Sequence, residues 1–178
     1  MNIAAQPPVQ ADQTIYLKDY QKPAFLVESI HLDIQVYDDH TIVDSTLVMK
    51  RQAAGELVLL GRDLELQSIQ MNGQLLNAGQ YQLDSEQLVI TDAPDQVIVQ
   101  TKVMIHPESN TQLEGLYKAG DLFVTQNEPE GFRKITFYPD RPDVLAEFTT
   151  RVEADKKYPI LLANGNLLET GEAGEGRH

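Results

Sequence analysis

The chain is 178 residues long, carries a formal net charge of −13 and contains no cysteine. That charge disfavours nucleic acid and anionic membrane surfaces, which both call for clustered Lys and Arg, and the missing cysteine excludes disulfides, thiolate metal sites and a thiol nucleophile. A composition of 42% hydrophobic and 23% charged residues is that of an ordinary globular domain.

The opening stretch Met1 to Gln13, with Pro7-Pro8 and several Gln, reads as a flexible lead-in over residues 1–13. It has neither the basic nor the apolar region of a signal peptide. No apolar run approaches the ~18 residues of a membrane span. The expected compartment is cytoplasmic, and residues 14–178 are expected to form a single β domain.

From Phe25 the pattern has period two: Ile30, Leu32, Ile34 and Val36 share one face, with His31, Asp33 and Gln35 opposite. His31 is then a surface residue on a strand. Asp38-Asp39-His40 is a turn, and Thr41 to Arg51 alternates in the same way, so these two strands form a hairpin. Leu57 to Leu60 is a short strand ended by Gly61-Arg62-Asp63. Leu64 to Met71 and Gln74 to Leu76 flank Asn72-Gly73, the strongest short hairpin signal. Tyr81 to Leu83 and Leu88 to Ile90 flank another tight turn. Val97, Val99, Thr101, Val103 and Ile105 alternate through a long strand. Leu116 to Tyr117 and Leu122 to Thr125 form a further hairpin, and Val144 to Ala154 alternates with Ala146, Phe148, Thr150 and Val152 on one face. Tyr158 to Ala163 and Leu167 to Thr170, flanking Asn164-Gly165-Asn166, predict the last hairpin. Only Glu130 to Ile135 suits a short helical turn. The fold class is therefore all-β, a β-sandwich or curved antiparallel sheets with little helix.

One stretch breaks the alternation: Thr125-Gln126-Asn127-Glu128-Pro129-Glu130-Gly131-Phe132-Arg133. Pro129 has no N–H to donate and stops regular pairing, which leaves Gln126 and Glu128 at a strand end. A carboxylate beside an amide oxygen suits a cationic group such as an ammonium. The alternative is a solvated loop in which Glu128 and Arg133 pair at the surface.

No self-sufficient catalytic site is visible. None of His31, His40, His106 and His178 begins an H-E-x-x-H zinc pattern. His106-Pro107-Glu108 matches half of a deaminase signature, but the other half needs cysteine. No G-x-S-x-G surrounds any serine, and Asp38-Asp39 lacks the remainder of a calcium loop.

Three blocks in order, Glu114-Gly115-Leu116-Tyr117, then Thr125 to Arg133, then Asp140-Arg141-Pro142-Asp143-Val144-Leu145-Ala146, resemble the amino-terminal domain of the aminopeptidase N family. These are zinc exopeptidases, and the likeness is greatest to the bacterial alanyl aminopeptidases. It runs from about Tyr20 to the last residue, and three ordered motifs are far more specific than one.

The resemblance implies a saddle-like β domain belonging to an enzyme that removes amino-terminal residues from peptides. Gln126 and Glu128 would reach into the catalytic cleft, hold the substrate's α-ammonium and line the pocket for its first side chain. Asn127 points the other way if the segment is extended, and it departs from the small or sulfur-bearing residue usual there. Gly131-Phe132-Arg133 and Asp140-Arg141-Pro142-Asp143 are expected to be scaffold. Zinc would be bound by a catalytic domain outside these residues. The implied partners are that domain, on the same polypeptide, and peptides with a free amino terminus.

The family also supplies a strand beyond Arg177-His178, so the chain is expected to be truncated within its last hairpin, with an unpaired edge. The competing expectation is a stand-alone β-sandwich binding module for carbohydrate or a protein partner. Such modules usually display aromatics, whereas this chain has no Trp and only 7% aromatic residues.

Overall fold

Eleven strands and two single-turn 3-10 segments make up the regular structure of residues 16–178, the part described by the computed structural model. The expected lead-in over 1–13 lies outside the described residues. No helix among them is long and apolar enough to cross a membrane.

The main sheet grows from the hairpin of β1 (Phe25–Val36) and β2 (Thr41–Arg51). Its turn is closed by Tyr37 N–H donating to the His40 carbonyl at 2.9 Å, with the two rings stacked 4.6 Å apart. In β1 the buried positions step from Phe25 and Val27 to Ile30 and Leu32. The parity changes because a bulge shifts the register between Val27 and Ser29, inserting one residue and bending the strand. β2 has no such break and buries every odd position from Thr41 to Met49, as strand geometry dictates.

Beyond β2 the order continues through β8 (Gln96–Ile105), β4 (Glu65–Met71) and β5 (Gln74–Leu75). The β4–β5 turn is Asn72-Gly73, with φ of 52° and 78°, both positive as the hairpin signal demands. A three-stranded sheet of β3 (Leu57–Leu60), β7 (Gln87–Ile90) and β6 (Gln82–Leu83) contributes to the same core. Leu57, Leu59, Leu88 and Ile90 belong to one buried cluster with Val43, Leu47, Val99, Val103 and Phe137. At roughly 1.5–3 kcal/mol per buried large aliphatic side chain, this cluster is the main stabilising term.

The all-β class holds, and two details differ from the expectation. First, β11 (Glu147–Glu153) joins the edge of the main sheet parallel to β1, with Ser29 opposite Glu147 and Gln35 opposite Glu153, whereas every other pairing is antiparallel. A parallel neighbour requires a long crossover, and here residues 37–146 supply it.

Second, Tyr158 to Ala163 and Leu167 to Thr170 are not strands. Ile160, Leu162, Leu167 and Leu168 are 73–86% exposed, so these apolar residues face no surface among the described residues that would hold them in a ladder. The carboxyl-terminal segment, residues 171–178, carries no strand either. It turns toward β11 instead: Ala154 and His178 exchange both backbone hydrogen bonds at 3.0 Å. Arg177 Nε also donates to Glu153 at 2.6 Å, and its guanidinium lies 4.1 Å from the Tyr37 ring centroid.

Candidate functional site

The non-alternating stretch follows a hairpin that stands apart from the main sheet, β9 (Gly115–Ala119) with β10 (Leu122–Gln126). Gln126 is the last residue of β10 and pairs with Gly115. Its Nε2 donates to the Glu128 carbonyl at 2.9 Å, leaving the amide oxygen as its remaining acceptor. The Glu128–Pro129 peptide bond is cis. Gln126, Asn127 and Glu128 are all exposed.

The loop then closes on itself. Gly131 N–H donates to the Asn127 carbonyl at 2.9 Å, and a β-carbon on Gly131 would lie 2.9 Å from the Asn127 Cα. A 3-10 turn over Phe132–Lys134 follows, as expected from Glu130 to Ile135. Phe132 packs edge-on against Tyr138 and Phe148, with centroids 5.0 and 5.8 Å away.

Arg133 does not form the predicted alternative pair with Glu128. Its Nε and backbone N–H both donate to Asp140 Oδ2 at 3.1 Å, and its Nη2 reaches the Asp140 carbonyl at 2.9 Å. The same Nη2 lies 3.2 Å from Glu130. Arg133 is thus bound into the scaffold, and the Glu128 carboxylate has no ion-pair partner among the described residues.

Arg141 braces the next turn. It pairs with Asp143 at 2.7 Å and donates to the Gln21 carbonyl at 3.0 Å, while the Tyr20 hydroxyl donates to Asp143 at 2.9 Å. The Arg141 hydrogen bond, aided by Tyr20, holds the Asp143 carboxyl down at about 2. Burial, and then the charge of Asp140, pushes the Tyr138 phenol up to about 12.

The described residues contain no group of three His, Cys, Asp or Glu side chains placed to hold a metal ion. His106 bonds Glu65 at 3.1 Å and lies 3.3 Å from Glu108, well away in sequence from Glu128. Sequence reasoning missed Lys134, whose side chain is only 5% exposed. Its signal was a charge set within Phe132 to Tyr138, a run in which Ile135, Thr136, Phe137 and Tyr138 are all buried.

Residues 19–178 match the family described as the Peptidase M1 N-terminal domain. The chain belongs to this family. Membership favours the peptidase-domain reading over a stand-alone binding module. The chain is 44% identical over 168 residues to the Aminopeptidase N of Caulobacter vibrioides, covering 93% of this chain and 20% of that protein. It is 42% identical over 172 residues to the Aminopeptidase N of Escherichia coli, covering 95% of this chain and 20% of that protein. It therefore spans about a fifth of the length of these relatives.

Among solved structures, the aminopeptidase A of Legionella pneumophila in complex with aspartic acid is similar with a TM-score of 0.85 and 31% identity, over 91% of this chain and 20% of that one. An M1 zinc metallopeptidase of Deinococcus radiodurans bound to a Tyr-Ser-Ala substrate shares the fold, with a TM-score of 0.72 at 21% identity over 86% of this chain and 38% of that one.

Proposed function

We propose that this M1 amino-terminal domain serves a zinc-dependent aminopeptidase, and that Gln126 and Glu128 form part of the pocket for the substrate's α-ammonium and first side chain. The observation that supports this is the Glu128 carboxylate. It is exposed at a strand end, while the neighbouring cation Arg133 is engaged by Asp140 and Glu130. A carboxylate facing an ammonium favours a chain end over internal peptide bonds, which carry no charge. The Gln126 amide, fixed by the Glu128 carbonyl, then borders the first side chain.

The described residues offer no three-ligand group for zinc. In this reading the metal belongs to the catalytic domain of the same polypeptide, and the partners are that domain and peptides with a free amino terminus. The net charge of −13 repels nucleic acid and anionic membranes. A cytoplasmic location completes the reading, and cell fractionation tests it.

The deciding experiment is Glu128→Gln in the full-length enzyme, which keeps the shape and removes the charge. Truncating one partner of a desolvated charge pair costs ~2–5 kcal/mol. With other carboxylates sharing the ammonium, about 2 kcal/mol is expected, roughly thirtyfold in kcat/KM. Parent kinetics in a variant with an unchanged melting curve would sink the assignment.

A further inference from the structure

Lys134 is a lysine in a place where lysines are rare. Its side chain is 5% exposed, and an ammonium so placed is tolerated only with charged or hydrogen-bonding partners. It has three: Asp63 Oδ2 at 3.2 Å, the Gln112 side-chain oxygen, and Glu114 Oε2 at 3.8 Å. These come from two other segments, the turn after β3 and the segment entering β9, while Lys134 ends the 3-10 turn.

Both ends of the Glu128 loop lead to Lys134, one through its ammonium and the other through its backbone. At one end, Glu114 immediately precedes Gly115, the β-sheet partner of Gln126. At the other, Lys134 N–H donates to the Gly131 carbonyl at 3.1 Å, and Gly131 N–H donates to the Asn127 carbonyl at 2.9 Å. The two ends also touch: a β-carbon on Gly115 would lie 2.7 Å from the Lys134 Cβ and 3.1 Å from the Gly131 carbonyl oxygen. Residues 126–131 are thus a loop whose stem rests on Lys134, against its backbone at Gly131 and, through Glu114, against its ammonium beside Gly115.

We infer that Lys134 is a positioning residue: by clamping the stem of the 126–131 loop it holds the Glu128 carboxylate at the place where the substrate ammonium binds. This rests on the reading of Glu128 given under Proposed function. The test is a double-mutant cycle in the full-length enzyme, with kcat and KM measured on an aminoacyl reporter for Lys134→Met alone and in a Glu128→Gln background. Lys134→Met should still fold, because the carboxylates it abandons, Asp63 and Glu114, are 70% and 51% exposed and remain solvated.

A residue that acts only through Glu128 is non-additive with it. Lys134→Met is expected to lower kcat/KM about tenfold in the parent, mainly through KM, and less than about twofold in Glu128→Gln. Lys134→Arg, which keeps a charge able to meet Asp63 and Glu114, should stay within about threefold of the parent.

Equal losses in both backgrounds would make Lys134 a general stabiliser and overturn the inference, as would parent kinetics for Lys134→Met. A silent Glu128→Gln overturns the underlying reading, and the inference with it. If Lys134→Met does not fold, Gln112→Ala carries the same comparison. It removes one acceptor from an exposed residue, with about a threefold loss expected in the parent and none in Glu128→Gln. Equal losses there overturn the inference in the same way.

Discussion

A β-carbon on Gly131 would sit 2.5 Å from the carbonyl oxygen of Gln126. No side chain fits that gap, so the closure of the Glu128 loop depends on the absence of one. Both partners there are backbone, and neither is able to swing aside.

Gly131→Ala is therefore expected to destabilise the domain by about 2 kcal/mol, in the range for forced overpacking. For a domain of this size that is a fall in Tm of roughly 4–8 °C. Gly79→Ala is the control, because nothing lies within 4 Å of a β-carbon there. Thermal melts of the two variants beside the parent check the expectation, and equal melting temperatures would refute it.

Gln126→Ala is expected to act on specificity more than on stability. Gln126 is exposed, and its one side-chain hydrogen bond goes to the Glu128 carbonyl, a neutral contact worth about 1 kcal/mol. In the full-length enzyme kcat/KM should fall less than for Glu128→Gln, and the ranking of substrates by first side chain should change. A panel of aminoacyl reporters differing only in that side chain reads the outcome. A uniform loss across the panel would contradict a pocket-wall role.

Asp143 supplies a pH-dependent contribution. Its folded pKa, about 2, lies below the ordinary aspartate value near 3.9. A depressed carboxylate stabilises the fold above its unfolded pKa and loses that effect as pH falls through the folded value. The Arg141–Asp143 pair is partly exposed, at 38% and 27%, so solvent screening limits the contribution to about 1 kcal/mol or less. Asp143→Asn should be less stable than the parent at pH 7, with the gap closing between about pH 4 and pH 2. Urea titrations across that window measure it, and a gap that widens on acidification would reverse the sign of the argument.

Thr101 offers the opposite kind of test. It lies directly across the sheet from Ser45, both are buried, and neither hydroxyl has a hydrogen-bond partner among the described residues. A buried hydroxyl without a partner costs roughly 1–3 kcal/mol. Replacing Thr101 with the isosteric Val should raise the denaturation midpoint or leave it unchanged. A clear loss of stability would mean that the hydroxyl has a partner in solution.

The sequence by itself determined the elements whose signal is local. The even alternation of β2 and β8 follows from side chains pointing to opposite faces of a strand, and Asn72-Gly73 dictates its hairpin because both residues accept positive φ. The ordered motifs around Gln126, Glu128 and Asp140 placed the chain in its family, since spacing in a loop survives without knowledge of the contacts it makes. Tertiary structure alone decided which charges meet. Arg133 is three residues from Glu130 and seven from Asp140, and its choice of both over Glu128 depends on how the loop closes. Lys134 is buried because segments 71 and 22 residues away fold over it, a distance that no local pattern encodes. The same limit explains Ile160 to Leu168: alternation reports that a face is apolar, but only the packed molecule shows whether any surface covers it.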